Sequence, residues 1–329
     1  MSVPAGGPLL EARKIAKRFA IGRRVIPALR RTVHAVDGVS LRVARGETLG
    51  IVGESGCGKS TLGRCLMRLH DVSEGEILFD GQDITRLSRR ALRPLRRRIQ
   101  MVFQDPAASL NPRHRVRDLI AEPLLIHAIA PPSDIPDRVA GLLRLVGLGP
   151  DHMERFPHEF SGGQRQRIGI ARAIALEPEL IIADEPVSAL DVSVQAQVVN
   201  LFQDLQERLG LTYIFIAHDL SVVRQIANRV AVMYLGAIVE TGPTDTVFTR
   251  PAHPYTNALI SAVPVPDPDP IHRGRRIILT GDVPNPASPP SGCHFHPRCS
   301  RAEARCRAER PVLSPQPDGR DVACHFPLI

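Results

Sequence analysis

The segment that most constrains the fold is Gly53-Glu54-Ser55-Gly56-Cys57-Gly58-Lys59-Ser60, which satisfies G-x-x-x-x-G-K-[ST]. It follows an apolar run, Thr48-Leu49-Gly50-Ile51-Val52, that reads as a buried strand, and Lys59 to Leu69 reads as the helix after it. Between a strand and a helix, Gly53, Gly56 and Gly58 permit backbone angles and close approaches that a Cβ would obstruct. Successive N–H groups at a helix N-terminus then favour phosphate. Lys59 can reach the β- and γ-phosphates, Ser60 can ligate Mg²⁺, and Thr61 is placed for a second phosphate contact. Glu54, Ser55 and Cys57 complete the loop.

Further strands surround this unit in sequence. Residues 36–43 alternate (Val36, Val39, Leu41, Val43), and Ile99 to Phe103 is a short apolar strand ending at Gln104. Strands return at Leu180-Ile181-Ile182-Ala183 and Tyr213-Ile214-Phe215-Ile216-Ala217, separated by a helical stretch from Val192 to Leu209. Alternating strand and helix units imply an α/β core with a mainly parallel sheet. Residues from Asp105 to about Pro157 are helical and polar, and read as an inserted helical subdomain. Successive side chains of a strand point to opposite faces, so Asp184 and Glu185 diverge. One can hold Mg²⁺ while the next orients the attacking water; these roles fall to Asp184 and Glu185 respectively. Gln104 can bring its amide to the metal and the water, and His218 can hydrogen-bond the γ-phosphate. A second glycine turn, Ser161-Gly162-Gly163-Gln164, opens another apolar helical stretch, with Ser161 as its N-cap and the glycine pair offering N–H groups to an anion.

The chain has 329 residues, 43% of them hydrophobic and 23% charged, enough to bury a core and to hold one large and one smaller domain. A net charge of +8 points to an anionic partner: nucleotide, nucleic acid or a membrane surface. With 4% aromatics and no Trp, stacking platforms for single-stranded nucleic acid are scarce. No apolar run reaches the ~20 residues that span a bilayer. Met1 to Leu10 lacks a basic segment followed by an apolar one, so no secretion signal is expected and the compartment is expected to be cytosolic.

These motifs together resemble the ATP-binding subunit of an ABC transporter, across nearly the whole chain. The resemblance assigns Walker A to Gly53–Thr61, the Q-loop to Gln104, the signature to Ser161–Gln164 and Walker B to Leu180–Glu185. It assigns the D-loop to Ser188-Ala189-Leu190-Asp191 and the switch histidine to His218. The signature reads Phe-Ser-Gly-Gly-Gln where the family more often has Leu first. The implied fold is a RecA-like P-loop core with a mainly parallel sheet, an antiparallel β portion and an inserted helical subdomain at about 105–175. An aromatic upstream of Walker A usually stacks on adenine; Phe19 is the candidate, although the Ile21–His34 segment is longer and more basic than the usual connection. Family members form head-to-tail dimers in which ATP lies between one chain's Walker A and the other's signature. Accordingly Ser161, Gly162, Gly163, Gln164 and Asp191 count among the nucleotide-site residues. Implied partners are a related, non-identical second ATPase subunit, two transmembrane permease subunits and, indirectly, an external solute-binding protein. The implied location is the cytoplasmic side of the cell membrane, peripheral to it.

After about Arg250 the composition changes: half of the 30 prolines and four of the six cysteines follow. This divides the chain into a nucleotide-binding domain, 1–250, and a small Pro/Cys-rich domain, 251–329, which cannot be mostly helical. The segments from His253-Pro254-Tyr255-Thr256 through Pro264, Gly281–Pro286 and Pro290–Cys299 resemble the tail of oligopeptide and dipeptide importer ATPases of the DppF/OppF type. Nickel importers and other peptide-like solute systems share much of this pattern. A soluble ABC ATPase acting on nucleic acid or ribosomes is a competing function, but such proteins usually carry two nucleotide domains or a long coiled-coil insertion.

Cys293, Cys299, Cys306 and Cys324 follow the spacing C-x5-C-x6-C-x17-C, without the C-x2-C of zinc ribbons. In a cytosolic chain they read better as ligands than as disulfides. A [4Fe–4S] cluster, Zn²⁺ and free thiols remain open, with His294, His296 and His325 as substitute ligands. Cys65 reads as core. The run Arg86–Arg98 is either a solvated helix face or a surface toward the membrane or its subunits; nucleic acid is not expected as a partner. The segment Asp105–Asp118 resembles the surface that receives the coupling helices of membrane subunits.

Overall fold

The computed structural model describes residues 7–21, 31–263 and 276–328. Most of the basic segment between Ile21 and His34, as well as Pro264, lies outside the described residues. In chain order the first elements are β1 (Leu10–Ile21), β2 (Arg31–Val43), β3 (Thr48–Val52), α1 (Lys59–Leu66), β4 (Glu74–Phe79) and β5 (Gln82–Asp83). Next come α2 (Arg89–Arg98), β6 (Ile99–Val102), α3 (Pro106–Ser109), α4 (Val116–Ile126), α5 (Ile135–Leu145), α6 (Gly162–Ile174), β7 (Leu180–Asp184), α7 (Val192–Leu209) and β8 (Thr212–Ile216). The last are α8 (Leu220–Ile226), β9 (Arg229–Tyr234), β10 (Ala237–Pro243), α9 (Thr244–Thr249), α10 (Pro254–Ser261), α11 (Ala304–Ala308), β11 (Ser314–Pro315) and β12 (Asp321–Val322). They form two units. Unit I comprises Val43–Thr48 and Arg86–Ala217; unit II comprises Gly7–Arg42, Leu49–Thr85 and His218–Ile329.

In unit I, β6, β7 and β8 pair in parallel, with Met101 opposite Ile182 and Ile182 opposite Ile214. Every residue of β7 and β8 is buried, as expected of parallel strands covered on both faces, and this explains the apolar runs Leu180–Ala183 and Tyr213–Ile216. Phe202 of α7 is fully buried and meets Tyr213 and Phe215 edge-on at 5.4 and 5.6 Å. Each such ring contributes roughly 1.5–3 kcal/mol through area removed from water. Helices α4, α5 and α6 pack on one another and bury Leu119, Ile120, Val139, Leu143, Ile168 and Ala171, within the segment expected to be helical. Helix α2 buries Leu92 and Leu95 and exposes Arg89, Arg90, Arg93, Arg96 and Arg97, so most of the arginine run is a solvated face. Arg98 and Arg45 both pair with Glu179.

Unit II contains the antiparallel portion, a sheet in the order β2-β1-β4-β5. It also contains β3 paired in parallel with β9, then β10, β12 and β11 added antiparallel in turn. Here antiparallel strands are added to the parallel pairing, within the expected α/β architecture. The reason is the two-residue connection Leu235-Gly236 between β9 and β10, with φ of +42° and +83°. Positive φ at both positions makes a tight hairpin and reverses the chain at once.

Tail residues join this unit by strand pairing, Val322 opposite Glu240, and through one buried carboxylate. Glu240 is fully buried and accepts from the backbone N–H groups of Ala252 (2.9 Å) and His253 (2.8 Å) and from Arg320 (3.3 Å). Burial pushes the His253 pKa down to about 3, so its neutral Nδ1 can accept from the Tyr255 N–H (3.0 Å) and cap α10. Beyond Arg250, the only helices longer than a 3₁₀ turn among the described residues are α10 and α11. Among the described residues no helix is long and apolar enough to cross a membrane.

Candidate nucleotide site

The glycine loop lies in unit II, between β3 and α1. Gly53 (φ +154°) and Gly58 (φ +105°) are the positions that admit no side chain: a Cβ would strike the carbonyl of Met233 at the first and that of Ala35 at the second. Helix α1 has no side-chain cap at Gly58 and no acidic residue in its first turn, which leaves its N-terminus suited to an anion. Lys59 is 4% exposed, and its Nζ donates to the carbonyls of Gly53 (2.7 Å) and Glu54 (3.0 Å). The amine is thus held inside the curve of the loop. Cys57 is buried with Sγ 4.0 Å from that amine; burial raises its thiol pKa, with Lys59 opposing more weakly. Ser60 and Thr61 are half-buried, while Ser55 and Gly56 are exposed. Cys65 is fully buried, as expected.

Two side chains that sequence reading missed fix this loop. Tyr255 Oη accepts the Glu54 N–H (2.9 Å), and Arg298 donates to both oxygens of the Glu54 carboxylate (2.7 and 3.0 Å). That pairing raises the Arg298 pKa. Both residues lie within tail segments already singled out, but nothing in their local sequence points to position 54. Elsewhere in unit II, Phe19 is half-buried near the end of β1, edge-on to His70 at 5.7 Å with Lys17 Nζ 4.9 Å from its centroid. His218 is exposed just before α8, whose cap is Asp219, accepting from the Ser221 N–H (2.8 Å).

Unit I carries the other expected residues. Asp184 ends β7 and is 1% exposed. Glu185 follows at φ +45°, a left-handed conformation costing about 1–2 kcal/mol for a residue with a Cβ. Its N–H is bound to the Ile216 carbonyl (2.9 Å), and Gln104 Nε2 donates to its carboxylate (2.9 Å). The structure therefore brings Gln104 and Glu185 together. Ser161 caps α6 reciprocally: its Oγ accepts the Gln164 N–H (3.3 Å), while Gln164 Oε1 accepts the Ser161 N–H (3.1 Å). Gly162 and Gly163 face Leu190 and Val194 so closely that a Cβ at Gly163 would collide with the Val194 side chain. The signature turn and the segment ending at Asp191, the residue that precedes α7, are thus neighbours.

The four tail cysteines are free thiols in unit II and line one small cavity, about 10 Å³, together with Phe295, His253, His296 and His325. His294 is not among its lining residues. Burial raises the thiol pKa of Cys293 and Cys299, and pushes Cys324 up to about 11. Among the described residues no group of three or more His, Cys, Asp or Glu is arranged to hold a single metal ion.

A strand–glycine loop–helix in one unit and a capped signature turn in the other are the parts of an ATP-binding cassette, and solved structures of that class share this fold. The cassette MJ0796, in a dimeric post-hydrolysis state bound to ADP and Pi, matches with a TM-score of 0.64 and 28% identity, over 71% of this chain and 98% of that one. CbiO1 from Clostridium perfringens, part of the ABC transporter complex CbiONQ, matches with a TM-score of 0.63 and 30% identity, over 74% and 91%. The chain belongs to the ABC transporter family. That family's profile matches residues 36–188, and the profile of the oligopeptide/dipeptide transporter C-terminal region matches 239–306. The oligopeptide transport ATP-binding protein AppF of Bacillus subtilis is 54% identical over 319 residues, 97% of each chain. Like the family, this protein is an ATPase that works with ATP and Mg²⁺.

Proposed function

We propose that this chain is the ATP-hydrolysing subunit of an importer of di- or oligopeptides. One observation carries the reading: cassette and C-terminal region occur in one chain that aligns with AppF over 97% of both lengths. The reading divides the chain into a nucleotide-binding domain, 1–250, and a C-terminal domain, 251–329. Partners are a related second ATPase subunit and two permease subunits, supplied by an external binding protein. The subunit then works peripherally at the cytoplasmic face of the membrane.

In the proposed site, the loop N–H groups of Gly53–Thr61 and Lys59 bind the phosphates, and Phe19 stacks on adenine. Ser60, Gln104 and the buried Asp184 offer the oxygen donors that would hold Mg²⁺, a hard cation that would supply charge neutralisation during phosphoryl transfer. Glu185 orients the attacking water, with its carboxylate held by Gln104, and His218 bonds the γ-phosphate. Ser161, Gly162, Gly163 and Gln164, next to Asp191, offer N–H groups but neither a lysine nor a carboxylate pair. Such a turn completes a site without making one, so it caps the ATP of the partner subunit. Binding closes the dimer, and loss of the γ-phosphate reopens it.

For the tail we propose a [4Fe–4S] cluster held by Cys293, Cys299, Cys306 and Cys324, structural or redox-sensing and outside ATP hydrolysis. The four thiols that line one cavity are the residues that would hold it, and that cavity, about 10 Å³, would have to open to admit a cluster. Anaerobically reconstituted protein should contain iron and show a cluster's broad visible absorbance; colourless, iron-free protein would end this assignment. The function itself is tested by uptake of labelled peptides, with competing solutes, in cells with and without this chain. Unchanged peptide uptake without it would refute the reading.

A further inference from the structure

One side chain of the cysteine-bearing tail reaches into the phosphate loop. Arg298, next to Cys299, donates Nη1 to Glu54 Oε2 (2.7 Å) and Nη2 to Glu54 Oε1 (3.0 Å), across 244 residues of sequence. The arginine side chain is 7% exposed and the carboxylate 25%, so the pair is largely withdrawn from water. Its surroundings are aromatic: the guanidinium lies 5.9 Å from the Tyr234 ring centroid. Tyr234 packs on Tyr255 at 4.7 Å, and Phe295, from the same tail segment as Arg298, packs on both at 5.2 and 5.4 Å. Tyr255 is also the acceptor for the Glu54 N–H. Backbone and side chain of a single loop residue are therefore both held from beyond residue 250.

Glu54 follows the first glycine of a loop whose other features favour anions. Its carboxylate opposes that purpose, because a fixed negative charge beside a polyphosphate is repulsive at short range. A bidentate guanidinium removes the net charge and fixes the direction of the carboxylate at once. We infer that Arg298 is a positioning residue of the ATP site: it neutralises and anchors Glu54, so that the C-terminal tail sets the affinity of the phosphate loop for ATP. The inference rests on the nucleotide-site reading above.

The test uses the full chain, with ATP affinity measured by equilibrium titration and ATPase activity measured in the assembled transporter. Arg298→Met keeps the stem and removes the charge. It should weaken ATP binding about tenfold, as expected when one partner of a withdrawn ion pair is lost. KM for ATP should rise similarly, with turnover at saturating ATP changed less than about twofold. Adding Glu54→Gln to Arg298→Met should recover most of the affinity, because the charge needing neutralisation is gone. Arg298→Lys, which keeps the charge without the fork, should lose about threefold; it also serves if Arg298→Met does not fold. Parental affinity in both arginine variants would overturn the inference. So would a double variant as weak as Arg298→Met, since Arg298 would then act only through packing. Lys59→Ala separates the two readings: ATP binding unchanged in that variant overturns the nucleotide-site assignment itself.

Discussion

The two glycine-rich turns are fixed in contrasting ways. Ser161–Gln164 is held by neighbours in sequence: Ser161 and Gln164 cap each other, and Arg165 Nε donates to the carbonyls of Pro157 (3.1 Å) and Phe160 (3.0 Å). Gly53–Ser60 is held from a distance, by Ala35, Met233, Tyr255 and Arg298. A turn that builds its own cap carries most of its hydrogen bonding in its own sequence and can be presented to another molecule. A loop that must enclose a polyphosphate and a buried lysine instead borrows rigidity from many parts of its unit. In the first case local sequence specifies the shape; in the second it specifies only the chemistry.

Substitutions test whether the two turns are specified so differently. The largest effects should come from the groups proposed to act on ATP directly. Lys59→Ala should weaken ATP binding at least about a hundredfold by titration, the scale of losing a buried charged contact. Glu185→Gln should lower turnover by about two to three orders of magnitude while ATP stays bound and traps a dimer, seen by size-exclusion chromatography. Hydrolysis unchanged in Glu185→Gln would remove its assigned role. Next comes Tyr255→Phe, which keeps the aromatic packing and leaves the Glu54 N–H without its acceptor. About 1 kcal/mol is expected, read as a roughly fivefold rise in KM for ATP. At the locally built turn, Ser161→Ala should cost about 1 kcal/mol of stability in thermal melting and leave the chain's own ATP affinity unaltered. A fall in that affinity would show that the two turns are not independently specified.

Smaller effects concern titration. Burial raises the Cys57 pKa, so its thiolate is scarce at neutral pH. Alkylation at pH 7 should modify exposed thiols in a denatured control and spare Cys57 in the native chain, with the rate climbing above pH 9. In unit I the opposite sign applies to Glu179, whose pKa is lowered by hydrogen bonds from Arg98 and Arg45. A carboxylate held low contributes stability above its unfolded value, and the contribution fades as pH falls through the folded one. Glu179→Gln should therefore cost below about 1 kcal/mol at pH 7, because the pair is partly exposed, and the cost should shrink as pH falls below the ordinary carboxylate range.

Legibility followed the same division between local and distant contacts. Helix α7 matches its apolar period from Val192 to Leu209, and β7 lies within one residue of its apolar run, since the signals sit inside the elements. The Ser161 cap was legible because Ser and Gln three apart form a reciprocal pair. The Leu235-Gly236 hairpin was not, because Leu in a left-handed conformation lacks the Asn or Asp that marks such turns. Gln104 and Glu185 were assigned separately, and only the folded chain shows their hydrogen bond. Arg298 and Tyr255 left no trace near position 54, since an ion pair or hydrogen bond spanning most of the chain has no period. The cysteine spacing indicated ligands without indicating that the four thiols share one cavity.

The Arg298–Glu54 pair also orders events on the ribosome. At about 5–20 residues per second, the 244 residues between the partners take about 12 to 50 s to synthesise. Throughout that interval the nascent phosphate loop carries an uncompensated carboxylate and lacks its tyrosine acceptor until late. A chain truncated before the tail would thus emerge with its nucleotide loop lacking both contacts.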